Sequence, residues 1–287
     1  MSLVYPVPER KNSRASENAR PTPCCWRVVG SAVAGASHLR NDLPCQDYQS
    51  SRLLPVGDGQ ALLVALADGA GSAENADLGA YIAVEAVLQS LEDSLTTLDA
   101  SSLDFESAMR AAFADAQLAL FERAEGEEIP VRSLATTLTC VIAVDGFLTV
   151  GQLGDGSVII QTGEDELVAV TQPQRGEYAN ETFFLVQEDA LEHLQVQVLH
   201  YPVQGLAVLS DGLMRLALQM PANLPHLPFF KPLFAFIASV EDVDAAKGQL
   251  ASFLSSERVS ARTDDDKSLV LAICSDVPRE GRGRSGG

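Results

Sequence analysis

Three apolar runs in this chain each abut acidic residues. ALLVALADGAGS leads into Asp68, LAVLSDGL leads into Asp211, and TDDDKSLVLAI carries Asp265 and Asp266 at its open end. A fourth acid, Asp47 in CQDY, stands nearer the N-terminus. Four to eight consecutive apolar residues bounded by glycine or charge fit a strand covered on both faces. The carboxylates then gather at one rim of a sheet. Like charges raise one another's pKa there, and a hard divalent cation removes the conflict. The pattern implies a metal site before anything else is known.

With 287 residues, 46% of them hydrophobic, the chain can build one substantial core. Residues 1–24 hold four prolines and no periodicity, and 278–287 are equally polar, so both are expected to be disordered tails around a domain at 25–277. No apolar run approaches the roughly 18 residues that span a bilayer, and no signal peptide opens the chain. The expectation is a soluble, cytoplasmic monomer. A net charge of −19 argues against nucleic-acid and membrane partners, and it obliges an anionic substrate to be met by bound metal or a few local cations. Five cysteines without a CxxC pair indicate neither a disulfide framework nor a zinc ribbon. Cys140 and Cys274, inside apolar runs, read as small core residues. No cysteine precedes an arginine at the spacing of thiol phosphatases.

Strands are predicted at 26–33, 61–67, 136–144, 147–153, 157–161, 195–201, 206–210 and 268–274. Asp145-Gly146 and Gly154-Asp155-Gly156 separate successive strands and read as hairpin turns. Helices are predicted at 75–93, 104–124, 229–239 and 242–256. The fold class is therefore α+β: a four-layer αββα sandwich, two mainly antiparallel sheets flanked by helix pairs. The polar segment 171–193 reads as a surface flap, in which Glu177, Tyr178, Asn180, Glu181 and Thr182 shape substrate choice. Residues 219–232, with four prolines, read as a loop.

Asp68 is followed by Gly69, Ala70, Gly71 and Ser72, small residues that let backbone approach a ligand, so the Gly69 carbonyl joins Asp68 as an oxygen donor. A helix cap or glycine turn is the structural alternative, for Asp211 as well. Asp264-x-Asp266-x-Ser268 matches an aspartyl-nucleophile motif formally but precedes a strand, where that chemistry needs it to follow one. Two ions held by such carboxylates activate a water for in-line attack on phosphate. Oxygen-only ligation favours Mg²⁺ or Mn²⁺ over zinc.

The order of these pieces resembles the metal-dependent type 2C (PPM) serine/threonine protein phosphatases, in a divergent bacterial form. GASHLRNDLPCQD resembles the opening motif and ADGAGS the Asp-Gly-His-Gly-Gly motif. LATTL resembles the Ser-Gly-Thr-Thr stretch, GQLGDGS the Gly-Asp-Ser segment, VLSDGL the late Asp-Gly strand end, and DDKSLVLAI the closing strand. The resemblance implies Asp68 bridging two ions, with Gly69 and, through water, Asp47 on one of them and Asp211 and Asp265 on the other. Asp155 stands where bacterial relatives bind a third metal. It also implies a phosphorylated protein substrate and an opposing serine/threonine kinase. Where the family has Glu, Arg and His, this chain has Gln46, Asp42 and Ala70. His38 and Arg40 on the same opening loop are then the candidate proton donor and phosphate-binding cation. The competing reading is a catalytically inactive phosphatase-fold domain that regulates or binds phosphopeptides.

Overall fold

The computed structural model describes residues 24–57, 59–97, 104–144, 146–174, 182–201 and 203–276. The expected tails lie outside the described residues except at Cys24. The chain runs β1 (Cys24–Val33), α1 (Ala36–Arg40), β2 (Asp47–Val56), β3 (Gly59–Asp68), α2 (Ala76–Thr97), α3 (Phe105–Gly126), β4 (Leu138–Val144) and β5 (Phe147–Leu153). It continues through β6 (Ser157–Gly163), β7 (Glu166–Ala169), β8 (Gln195–Leu199), β9 (Gly205–Leu209), α4 (Met214–Ala217), β10 (Leu218–Gln219) and β11 (Leu224–Pro225). The last elements are α5 (Leu227–Ala238), α6 (Val243–Leu254), α7 (Glu257–Ser260) and β12 (Lys267–Asp276).

Two five-stranded sheets form, ordered β2-β3-β4-β5-β8 and β1-β12-β9-β6-β7, with every pairing antiparallel. Alternate residues of the central strands explain the layers. In β3, Leu62, Val64 and Leu66 meet Val158, Val208 and Val270 of the other sheet, forming the inner core. Leu63 and Ala65 face the opposite way, onto α2 and α3 with Leu88, Leu91, Met109 and Phe113. Across the molecule Leu209, Leu269 and Leu271 pack under α5 and α6 with Phe230, Phe234 and Leu250. Each fully buried side chain of this size stabilises the fold by about 1.5–3 kcal/mol. The predicted sandwich is the architecture found, and the central stretches of β3, β4 and β9 are almost wholly apolar because both faces are covered.

Several local expectations need correction. Gly154-Asp155-Gly156 is no hairpin: β5 and β6 belong to different sheets, and this tripeptide is the crossover between them. Gly154 has φ +111, a backbone that L side chains avoid. Buried Gln152 donates through Nε2 to the carbonyls of Gly154 and Gly156 at 3.2 and 2.6 Å, while the Gly154 N–H donates to Gln174 Oε1 at 2.7 Å. The segment 171–193 is not wholly a surface flap, because Leu185, Val186 and Ala190 are buried in the core beneath α3. Residues 219–232 contain the end of β10, all of β11 and the first half of α5, with Pro228 in its first turn and Pro232 inside it. Strands β2 and β7 were not anticipated. Cys274 is disulfide-bonded rather than a core thiol, whereas Cys25, Cys45 and Cys140 are free.

Candidate metal centre

The sandwich delivers acids to one end from five directions. Asp47 opens β2 and lies opposite Asp68, the last residue of β3, in the ladder that joins those strands. Asp155 sits on the β5-β6 crossover, Asp211 two residues beyond the end of β9, and Asp265 and Asp266 immediately before β12. Beyond Asp68 the chain must pass close to its neighbours. A Cβ on Gly69 would lie 2.7 Å from the Ala76 carbonyl oxygen and 2.8 Å from that of Gln46, so only glycine fits. The Gly69 N–H donates to the Gln46 carbonyl at 3.1 Å, and the Asp68 carbonyl accepts from Thr137 N–H at 2.9 Å and from Thr136 Oγ1 at 3.0 Å. The strand end is therefore held in place by its own backbone, leaving the carboxylate to face its neighbours.

Those neighbours are other carboxylates. Burial raises the Asp68 carboxyl well above its ordinary range, and Asp47, Asp211 and Asp155 raise it further, with the Asp211 carboxyl in hydrogen-bonding reach. Burial likewise pushes Asp47 up to about 7, against the pull of a hydrogen bond from Ser210, and Asp211 up to about 6, where Asp155 and Asp265 add to it. Ser210 Oγ donates to Asp47 Oδ2 at 2.7 Å and accepts the Ser268 N–H at 3.0 Å. Asp47 Oδ1 and Asp211 Oδ1 are buried without any partner. Buried polar atoms are rarely left so. Among the described residues no three His, Cys, Asp or Glu side chains close around a single point, and the acids stand instead as an extended cluster. An all-oxygen donor set with two orphaned carboxylate atoms and mutual repulsion fits hard divalent cations, which take carboxylate and carbonyl ligands and quench that repulsion. The residues present fit Mg²⁺ or Mn²⁺.

Asp265 and Asp266 divide sharply. Asp265 is exposed, accepts the Asp266 N–H at 2.9 Å, and lies close enough to raise Asp211. Asp266 is 3% exposed and fully engaged elsewhere. Its Oδ1 accepts the Gly35 N–H at 2.6 Å and faces His38 Nδ1 at 2.7 Å, and its Oδ2 accepts the Gln46 N–H at 2.6 Å. Asp266 thus pins the opening loop beside the cluster, a role that the residues alone did not reveal. His38 is brought to the edge of the site through it. Arg40 is not brought in: it reaches Asp264 at 3.7 Å, both side chains well exposed. Thr182 Oγ1 donates to Asp155 Oδ2 at 3.2 Å, which places one of the proposed specificity residues against the cluster. Glu177, Tyr178, Asn180 and Glu181 lie outside the described residues. Ser210, Gln152 and Gln174 went unnoticed in the sequence because a serine or glutamine between apolar neighbours carries no distinctive pattern.

The family model for protein phosphatase 2C matches residues 34–255. The chain is 37% identical over 258 residues to serine/threonine-protein phosphatase 3 of Escherichia coli (strain K12), covering 86% of this chain and 98% of that protein. Two sheets with acids at a common rim define a class of metal-dependent phosphatases, and this chain belongs to the protein phosphatase 2C family. It is a protein phosphatase, an enzyme acting on phosphoproteins, from a family generally dependent on Mn²⁺ or Mg²⁺. The fold is shared with a serine/threonine phosphatase of S. agalactiae at TM-score 0.59 and 17% identity, covering 87% of this chain and 99% of that one. It is shared too with PppA of Pseudomonas aeruginosa at TM-score 0.57 and 17% identity, covering 89% of this chain and all of that one.

Proposed function

We propose that the chain hydrolyses phosphoserine and phosphothreonine in proteins, using two divalent ions at the acidic rim. The observation that carries this is the pair of buried, unpartnered oxygens, Asp47 Oδ1 and Asp211 Oδ1, flanking Asp68. Asp68 would serve both ions, the Gly69 carbonyl and, through water, Asp47 would hold one, Asp211 and Asp265 would hold the other, and Asp155 would serve a third. When bound, the ions supply Lewis acidity and a water of lowered pKa. The chain's own part is to hold the carboxylates in register, through the Asp47-Asp68 pairing and the Ser210 hydroxyl, and to position the opening loop through Asp266. His38 presents Nδ1 to Asp266, which leaves Nε2 as the ring atom that gives a proton to the departing serine or threonine oxygen. Arg40, exposed on the same loop, is the cation that meets the approaching phosphoprotein. A serine/threonine kinase makes the substrates, and the enzyme acts on them as a cytoplasmic monomer.

The test is release of phosphate from a phosphothreonine peptide with Mn²⁺, with Mg²⁺ and with chelator, comparing the native chain with Asp68→Asn. Metal-dependent turnover abolished by the substitution is expected. A folded protein that turns over nothing with either metal would overturn the proposal in favour of an inactive phosphopeptide-binding domain.

A further inference from the structure

On the face remote from α2 and α3, the helices α4, α5, α6 and α7 enclose a cavity of about 670 Å³. Its walls include Phe229, Phe236 and Phe253, each partly buried. Arg215, Arg258 and Arg262 stand on its margin, and none of the residues lining it is acidic. That is unexpected in a chain with 39 Asp and Glu against 20 Lys and Arg. Elsewhere Arg40, Arg110 and Arg123 each pair with one carboxylate and Arg52 with two, while Arg27 donates to the carbonyls of Ile237 and Ala238. The guanidinium groups of Arg215, Arg258 and Arg262 have no ion pair or hydrogen bond among the described residues.

A concave site of several hundred Å³, apolar with a few convergent polar groups, has the size and character of a small-molecule site. Guanidinium forks match carboxylate and phosphate oxygens. The chain's own terminal segments are poor occupants, since ERKNSRASENAR and REGRGRSGG both carry arginine and would meet like charge. We propose that this cavity binds an amphiphilic organic anion, its apolar body among the three phenylalanines and its carboxylate or phosphate head on Arg215, Arg258 and Arg262. Arg215 follows Asp211 by four residues and Arg262 precedes Asp265 by three, so an occupant bears on both segments that carry those acids.

The full chain is titrated, without metal, with the fluorescent anion 8-anilino-1-naphthalenesulfonate and with N-phenyl-1-naphthylamine, which has the same apolar body and no charge. Saturable one-to-one binding of the anion is expected, weakened at least tenfold in Arg215→Gln/Arg258→Gln/Arg262→Gln, with the neutral dye unaffected. Unchanged far-ultraviolet circular dichroism establishes that the variant is folded, and the single Arg258→Gln change, expected to weaken binding about threefold, serves if the triple variant is not. Dodecanoate and dodecyl phosphate displace the dye, their relative potency identifying the head group, and inorganic phosphate alone does not. Equal binding of both dyes, or anion binding indifferent to the arginines, overturns the proposal. So does displacement at lower concentration by an acidic peptide bearing phenylalanine, which would assign the cavity to a protein partner. Because binding is read without metal or substrate, the outcome is independent of the phosphatase reaction.

Discussion

At the acidic rim Asp47 is 5% exposed and leaves one oxygen with no partner, whereas at the neighbouring loop Asp266 is 3% exposed and has both oxygens engaged by three nitrogens. Depth is the same, so depth cannot be what separates the two regions. The donors decide. A carboxylate with backbone N–H groups and an imidazole around it is satisfied within the protein, and serves as a structural clamp. A carboxylate surrounded by other carboxylates is satisfied only by a cation from outside. Removing a charge should therefore damage the clamp and relieve the rim.

The largest effect expected is on turnover. Asp68→Asn should lower phosphate release about a thousandfold, since loss of metal-centred charge stabilisation costs several kcal/mol and each 1.36 kcal/mol is a decade. A decrease of less than tenfold would remove Asp68 from the centre. Next, Asp266→Ala strands two buried N–H groups and His38, and should cost about 3–5 kcal/mol of stability, read as a fall of roughly 10 °C in thermal midpoint. If Asp266→Ala melts like the native chain, the clamp has no structural role.

The rim should behave oppositely. The Asp47 carboxyl sits at about 7 in the folded protein against an ordinary 3.8. Between these values the folded state holds a proton that the unfolded state has lost, so its contribution to stability falls as pH rises through that window. Asp47→Asn removes this penalty. In chelator, its stability relative to the native chain should grow from pH 4 to pH 7 by about 3–4 kcal/mol, and a difference that stays flat with pH would break the contrast. Smallest of all, Asp265→Asn should weaken Mn²⁺ binding by calorimetry about tenfold while leaving the melting temperature within about 1 °C, because exposed substitutions change stability by under about 0.5 kcal/mol.

Where burial was complete, the sequence was readable. β3 and β9 are covered on both faces and appear as unbroken apolar runs, and the helices on either side keep their apolar stripes. β2, DYQSSRLLPV, is an edge strand with most side chains half-buried, so polar residues interrupt it and hide its period. The crossover at Gly154 has hairpin composition, yet only long-range pairing decides whether the next strand rejoins the same sheet. The segment around Leu185 reads as surface because its buried residues are too few to show a period. At the site, Asp47, Asp68 and Asp211 were legible because each adjoins a strand whose place in the sheet is dictated by its apolar residues. Asp266 was not distinguishable from Asp264 and Asp265 in a run of three acids, because its donors come from Gly35, His38 and Gln46, more than two hundred residues away.

The Ser210 hydroxyl, which donates to Asp47 at the head of one sheet and receives the amide of Ser268 in the other, makes the interface between the sheets a mechanical component of the site. Any shear of one sheet over the other, by thermal breathing or by pressure on the helices behind β9 and β12, stretches that link and draws Asp211 and Asp265, which follow β9 and precede β12, away from the Asp47-Asp68 pair. The alignment of the acids is thus a gauge of the alignment of the two halves of the molecule.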